Sequence, residues 1–343
     1  MPNSMRVKIV CACGIIIAAS LAFYKAACAS ESLFYKEVNL IGGYSGNERW
    51  IGKSSTLSNS LGFEDYRKLS GAYGDFLTTD LQLRAAYDST KNSHDAWGLQ
   101  IHNAWLEYKV SSGKRLRLGH FDVPFGLEPS VDTHGTILQT MAETNIGSKQ
   151  DWGVAFKGTG QSFELETALQ IGSGMSVYRR DGSFLASARL GSASDRNLQY
   201  GASLLYGRWL EAPGMSTFPR NDLTSEQATL KKRVGLDAQY LFGPYLLKAE
   251  VAYGSNNHDA VLGNFWELDY TLPRHQNWEF ELQYQSWFND LAQRGSDDST
   301  LGVGVSYKVN QNVTVRSVFY HDFNRMGGNE DDQFLVQVYY FAL

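Results

Sequence analysis

The 343 residues carry 36 acidic against 31 basic side chains, a formal charge of −5, and 13% of them are aromatic. A chain with that balance does not suit a nucleic-acid partner, whose phosphates call for lysine and arginine. The three cysteines, Cys11, Cys13 and Cys28, all lie near the N-terminus, so the remainder can hold neither a disulfide framework nor a cysteine-bearing metal site.

Arg6 and Lys8 precede an apolar run from Ile9 to Ala22, and Ala27-Cys28-Ala29 follows as a small-residue cleavage site. This is the pattern of a secretory signal peptide, expected over residues 1–29, with one barrel domain over 30–343. Lipidation of Cys28 is the weaker reading, because Lys25, Ala26 and Ala27 supply no aliphatic residue before it. Removing Arg6, Lys8 and Lys25 takes the formal charge from −5 to −8.

No later stretch approaches the roughly 18 uninterrupted apolar residues of a membrane-spanning helix, and the mean hydropathy is negative. Alternation takes the place of long apolar runs. Leu77, Thr79, Leu81, Leu83, Ala85 and Tyr87 interleave with Thr78, Asp80, Gln82, Arg84 and Asp88; Phe163, Leu165, Leu169 and Ile171 with Glu164, Glu166 and Gln170. Trp278, Phe280, Leu282, Tyr284 and Phe288 interleave with Glu279, Glu281, Gln283 and Gln285, and Leu301, Val303, Val305 and Tyr307 with Gly302, Gly304, Ser306 and Lys308. A period of two with one apolar and one wet face marks a strand.

Sixteen such segments are expected, at 33–45, 61–69, 76–88, 97–110, 115–123, 152–158, 162–172, 183–191, 197–209, 230–241, 244–255, 262–273, 277–288, 299–308, 312–323 and 333–343. Pro124, Pro129, Pro213, Pro219, Pro244 and Pro273 fall in or at the edge of a connection, as strands require. The connections alternate between tight turns, such as Gly113-Lys114, Gly243-Pro244 and Asn310-Gln311, and longer polar loops at 124–151, 210–229 and 289–298. An even strand count with loops of unequal length at the two ends predicts an all-β, antiparallel, up-and-down transmembrane barrel, with tight turns in the periplasm and long loops outside. Trp97, Trp152, Trp209, Trp266 and Trp287 are expected in an outer aromatic girdle, and Tyr108, Tyr240, Tyr245, Trp278 and Tyr307 in an inner one. The last strand, Gln333 to Leu343, should pair with the first near Leu33 to Tyr44, and its Tyr339, Phe341 and Leu343 resemble an outer-membrane assembly signal.

The third long loop, 124–151, is polar but contains Ile137, Leu138, Met141 and Ile146. Such residues would pack the loop against the inner wall and narrow the lumen. The run Arg117-Leu118-Gly119-His120-Phe121-Asp122-Val123-Pro124-Phe125-Gly126-Leu127-Glu128 resembles the G-x-F-x-x-P-F-G-x-E signature of the phosphate-selective porin family, and Asp151-Trp152-Gly153-Val154 resembles that family's re-entry into the next strand. The likeness is best over residues 97–174. It implies a 16-stranded channel of the bacterial outer membrane, homotrimeric as the family usually is, embedded in lipid and lipopolysaccharide. Phosphate specificity does not carry over, because the inward-facing charges are mixed: Arg84, Lys109, Arg115, Arg117, Arg233, Lys248, Lys308 and Arg316 stand against Asp80, Glu107, Glu164, Glu166, Asp237, Glu250, Glu279 and Glu281.

The expected pore-lining set is Arg84, Arg115, Arg117, Glu128, Asp132, Arg233, Asp237, Lys248 and Arg316, with Arg115 and Arg117 facing Glu128 or Asp132 at the narrowest point. The inward glycines Gly201, Gly207, Gly302 and Gly304 are expected to keep the lumen open. Neither catalytic, cofactor-binding nor metal residues are assigned. Ser93-His94-Asp95 has the residue types of a hydrolytic triad, but three neighbours on one loop do not form the nucleophile, base and orienter chain. His120 and His134 flank the expected constriction, and the acidic loop residues Asp297, Asp298, Glu330, Asp331 and Asp332 lack the ordered spacing of a calcium loop. The sequence therefore reads as a non-enzymatic porin passing small hydrophilic solutes, anions among them. The alternative is a barrel with a structural, adhesive or hydrolytic role.

Overall fold

The computed structural model describes residues 29–45, 59–87, 96–127, 131, 136–138, 140–210, 216–218, 227–293, 295, 297–324 and 331–343. Residues 1–28 of the expected signal peptide, the Ser93-His94-Asp95 run, Glu128, Asp132 and His134 lie outside the described residues, while Ala29, expected to close the signal peptide, begins the first strand.

Sixteen strands form one closed antiparallel barrel in which every strand pairs with its sequence neighbours. They are β1 (Ala29–Ser45), β2 (Asn59–Gly71), β3 (Gly74–Tyr87), β4 (Trp97–Ser111), β5 (Lys114–Asp122), β6 (Gln150–Thr159), β7 (Phe163–Gln170) and β8 (Phe184–Ser192), followed by β9 (Leu198–Trp209), β10 (Thr229–Phe242), β11 (Tyr245–Asn256), β12 (Asp259–Thr271), β13 (Trp278–Phe288), β14 (Asp297–Lys308), β15 (Val313–Asn324) and β16 (Asp332–Ala342). Each expected segment corresponds to one of them. Closure runs from Lys36 opposite Ala342 to Ser45 opposite Gln333. From Lys36 to Ser45 the first strand is thus paired on both sides or continues the seam, and closing the sheet on itself is the condition for spanning a bilayer with strands.

The period-two pattern sorts residues by face. Leu204, Val234, Leu236, Val251, Leu282 and Val303 are largely exposed on the outside, whereas Ser203, Arg233, Asp237, Glu250, Glu281 and Gln283 are buried inside. On the outer face at the short-turn end, stacked rings run from Tyr240 through Phe242, Tyr245 and Tyr270 to Phe280, with Trp278 beside Tyr307 at 4.5 Å. This is the inner girdle. Of the expected outer girdle, Trp97 is exposed at the start of β4, but Trp266 is exposed at the middle of β12, seven residues from its long-loop end, and Trp209 and Trp287 are 1% and 4% exposed and point inward. Parity explains the difference: Trp209 shares a face with Ser203 and Leu205, and Trp287 with Glu281 and Gln283.

Tyr339 and Phe341 also point inward. Tyr339 donates to Glu37, and Phe341 stacks on Tyr35 at 4.5 Å. Phe334 and Val338 take the outer face of β16 instead.

The wall is not uniform. Strands β5 to β8 are short, and β4 extends past the last β5 partner, Ala104 opposite His120. Its exposed edge is filled by the β9–β10 connection. Thr217 and Phe218 donate backbone N–H groups to the Leu99 carbonyl at 2.8 and 3.0 Å, Leu99 N–H donates to Phe218 at 2.6 Å, and Ile101 N–H donates to Thr217 Oγ1 at 3.0 Å.

The tight-turn rule has one exception at the long-loop end, where β11 and β12 are joined by Asn257-His258 alone. Asn257 takes a left-handed φ of 52° there, a conformation asparagine tolerates better than most residues.

Candidate functional site: an occupied barrel lumen

The connection between β5 and β6 folds into the barrel. Its backbone is tied at the base by Val123 N–H donating to the Lys149 carbonyl at 2.8 Å, and it contains one helical turn, α1 (Ala142–Asn145). Val123, Phe125, Leu127, Met141 and Ile146 are buried together with Leu185, Leu205, Trp209, Ala252, Val261, Phe265 and Trp287 of the wall. Farther round, Ile137 and Leu138 pack on Val318 and Tyr320 of β15. Most of the hydrophobic core among the described residues thus lies within the lumen, between the loop and the sector of wall from β8 to β15, with a smaller cluster of Phe121, Ala155, Ala168 and Trp105 on β4 to β7.

Three inward glycines form the seat. A Cβ at Gly235 would come within 2.7 Å of Phe125 Cζ, one at Gly263 within 2.6 Å of Met141 Sδ, and one at Gly302 within 3.0 Å of Leu138 Cδ2. Gly302 was expected to keep the lumen open; it instead makes room for a loop side chain. Gly207 packs on Leu185 of the neighbouring strand, and Gly201 leaves space for the Arg189–Asp237 pair.

Polar wall residues complete the seat by satisfying loop backbone that would otherwise be stranded. Gly126 N–H donates to Ser203 Oγ at 3.0 Å and Leu127 N–H to Glu250 Oε2 at 2.8 Å. Lys231 Nζ donates to the Ile146 carbonyl at 2.6 Å. Arg233, 2% exposed, donates to Asn145 Oδ1, the Asn145 carbonyl, the Ser255 carbonyl and Asn256 Oδ1. Nothing in the alternation of β10 distinguishes these anchors from solvated lumen charges. The composition of the loop is the signal that something must hold it.

Other expected lumen residues form ion-pair clusters. Arg117 meets Glu107 at 2.7 Å and Glu166 at 3.9 Å while its guanidinium stacks 4.2 Å over Trp105. Arg115, half exposed, reaches Glu107 at 3.5 Å from the short-turn end of β5. Asp237 pairs with Arg189 at 2.5 Å, Lys248 with Glu267 and with Asp269 at 2.9 Å, and Arg84 with Glu37. Arg316 donates to Gln337 at 2.7 Å. Sequence reasoning missed Glu37 and Glu267, each of which joins groups from several strands: Gln82 and Tyr339 bond the first, Gln283 the second.

Below the loop, at the short-turn end, remains a cavity of about 720 Å³. Thr136 and Val131 of the loop lie at its upper side, and Lys248, Glu267, Asp269, Glu279, Lys308 and Arg316 contribute charges of both signs to its walls. Among the described residues no cluster of His, Cys, Asp and Glu could hold a metal ion.

No protein-family model matches this chain, and none of the curated proteins matches it. Solved structures do. The anion-selective porin from Comamonas acidovorans superposes with a TM-score of 0.65 at 12% identity, over 92% of this chain and all of that one. The outer membrane channel DcaP of Acinetobacter baumannii gives 0.61 at 13%, over 93% and 99%. The trimer form of the Vibrio cholerae outer membrane protein OmpT gives 0.61 at 11%, over 92% and 100%. These likenesses are general to porins and do not single out the phosphate-selective branch. The fold is that of bacterial outer-membrane porins, a closed 16-stranded antiparallel β-barrel.

Proposed function

We propose that the protein is a passive channel for small hydrophilic solutes, exported on a signal peptide over residues 1–29 and folded from 30–343. The observation that carries this reading is the one-sided seating of the inserted loop: its apolar side chains are spent on the β8–β15 sector, while the cavity below it is walled by charges of both signs. A barrel with a purely structural role would fill that space with side chains. Sixteen strands enclose a lumen wide enough to need a constriction, and a charged constriction sorts ions.

Anions are the proposed preferred ions, through Arg115 and Arg117, with Arg115 the more accessible of the two. Arg84, Asp237, Lys248 and Arg316 are proposed to line the path. Arg233 acts on it indirectly, by holding the loop. By analogy with the porin trimers the chain is proposed to form a homotrimer in contact with lipid and lipopolysaccharide. The test is single-channel recording of the purified chain in planar bilayers under a salt gradient. Discrete conductance steps with an anion-directed reversal potential support the reading; a folded barrel that conducts nothing refutes it.

A further inference from the structure

Around the cavity below the loop the charges are sorted by strand. Glu267 and Asp269 of β12 and Glu279 and Glu281 of β13 form one continuous acidic wall, flanked by Lys248 of β11 and Lys308 of β14. Asp269 lies directly opposite Glu281, and like charges so placed repel. These carboxylates are not solvated lumen groups: Glu267, Asp269 and Glu281 are 4%, 5% and 5% exposed. One cation serves them. Lys248 Nζ donates to Glu267 and, at 2.9 Å, to Asp269 Oδ2. Asp269 Oδ1, buried on the cavity wall, meets no donor among the described residues. Glu281 accepts only from hydroxyls, Ser306 Oγ at 3.0 Å and Thr136 Oγ1 of the loop at 3.3 Å. Neither Glu279 nor Lys308 has an ion pair among the described residues. Ser306 sits opposite Glu279, and Lys308 follows on the same inner face, roughly 7 Å farther along the strand.

We propose that this cavity is a binding site for a zwitterionic solute of the amino-acid type, its ammonium group against Asp269, Glu279 and Glu281 and its carboxylate against Lys308. The inference rests on the channel reading above and names a class of solute for it. Buried carboxylates that outnumber their cations call for a positive group from outside the wall, and the unpaired lysine beside them calls for a negative one. A compact metal ion does not fit, since among the described residues no cluster could hold one. An ammonium group does, because its three N–H donors suit a row of separate carboxylates. A solute with a single charge would satisfy one side of the cavity and leave the other as it is. The space, about 720 Å³, is in the range of small-molecule sites. Thr136 brings the inserted loop to its upper side, so a solute that has passed the loop meets this wall next.

Titration calorimetry of the folded barrel in detergent with γ-aminobutyrate, butylamine and butyrate separates the two charges. γ-Aminobutyrate should bind about tenfold tighter, or more, than either single-charge analogue, as a lost contact to a charged group implies. Asp269→Asn with Glu281→Gln should abolish its advantage over butyrate, and Lys308→Gln its advantage over butylamine. Should the buried double variant fail to fold, Glu279→Gln, at a less buried position on the same wall, takes its place and should reduce the advantage over butyrate. Butylamine binding as tightly as γ-aminobutyrate would make the site a simple cation trap and overturn the assignment. So would a Lys308→Gln variant that binds γ-aminobutyrate as wild type does. The two readings fail separately: a barrel that binds γ-aminobutyrate but passes no current overturns the channel alone, and one that conducts but binds none of the three probes overturns this site alone.

Discussion

Arg233 of β10 donates Nε to the side-chain oxygen of Asn145 at 2.9 Å and Nη2 to the Asn145 carbonyl at 3.1 Å, with its guanidinium 5.4 Å from the Trp287 ring. One buried cation thereby holds the single turn α1 against two separate strands. Arg233→Met keeps much of the bulk and removes every donor. Each buried acceptor left unpaired costs about 1–3 kcal/mol, and the seat has several. The expected result is protease cleavage within 123–149 and a larger, noisier conductance, with an intact barrel. Lys232→Met, one residue away on the outer face, should change neither; equal behaviour of the two variants would show that the anchor does not hold the loop.

The glycine seat gives an independent route to the same loop. Gly263→Val places branched carbons where Met141 and Trp287 now sit, and Gly235→Val does so against Phe125. Overpacking of this kind typically costs about 1–3 kcal/mol, and the loop can move more easily than the wall. Both variants should assemble and conduct more than wild type, approaching a deletion of residues 130–146. Conductance equal to wild type in that deletion would mean that the loop does not set the narrowest section.

Much of this architecture is legible in the residues, and the failures share one cause. Strand positions follow from a period of two because lipid outside and water or loop inside impose opposite demands on adjacent residues. Ile137, Leu138 and Met141 announce an inserted loop because an exposed loop has no use for them. The alternation does not reveal what an inward residue meets once the loop is seated. Trp209, Trp287 and Gly302 therefore looked like girdle and open lumen, whereas each contacts a loop that is remote in sequence. The facing of Tyr339 and Phe341 was not legible at all: an aromatic alternation at a C-terminus does not say which parity faces out, and the pairing of Glu37 with Phe341 decides it.

Arg115 and Arg117 differ in consequence although they are neighbours on one face. Arg117 is enclosed by Glu107, Glu166, Trp105 and Phe121. Arg117→Gln leaves Glu107 with Arg115 alone at 3.5 Å, and uncovering a buried carboxylate costs about 3–5 kcal/mol. Arg115→Gln touches a half-exposed partner and should leave thermal stability within about 1 kcal/mol. Both should move the reversal potential toward cations, and the double replacement by glutamate should move it furthest. Urea melts of detergent-folded protein separate the stability effects, and salt-gradient recordings separate the selectivity. An unchanged reversal potential in the double glutamate variant would shift the source of selectivity to the charges around the lower cavity.

Closure of the barrel depends on the last residues in a way that can be measured directly. Glu37 lies opposite Phe341 and Lys36 opposite Ala342, and the Phe341 ring stacks on Tyr35 at 4.5 Å inside the seam. Deleting residues 341–343 removes both of those register pairs and the stacked ring, and lengthens the stretch of β1 without a β16 partner, which in the intact chain ends at Tyr35, to Glu37. An unpaired strand segment in lipid strands its backbone groups, each at a cost of several kcal/mol, so the truncated chain should fail to give heat-modifiable folded protein. Leu343 is 71% exposed and beyond the last pair, so Leu343→Phe should assemble normally. Phe341→Ala tests the intermediate case: it retains the backbone pairing but loses the ring, and should assemble with a lowered melting temperature. If the truncated chain assembles as well as wild type, the seam is held by the pairs from Val38 opposite Tyr340 to Ser45 opposite Gln333 alone.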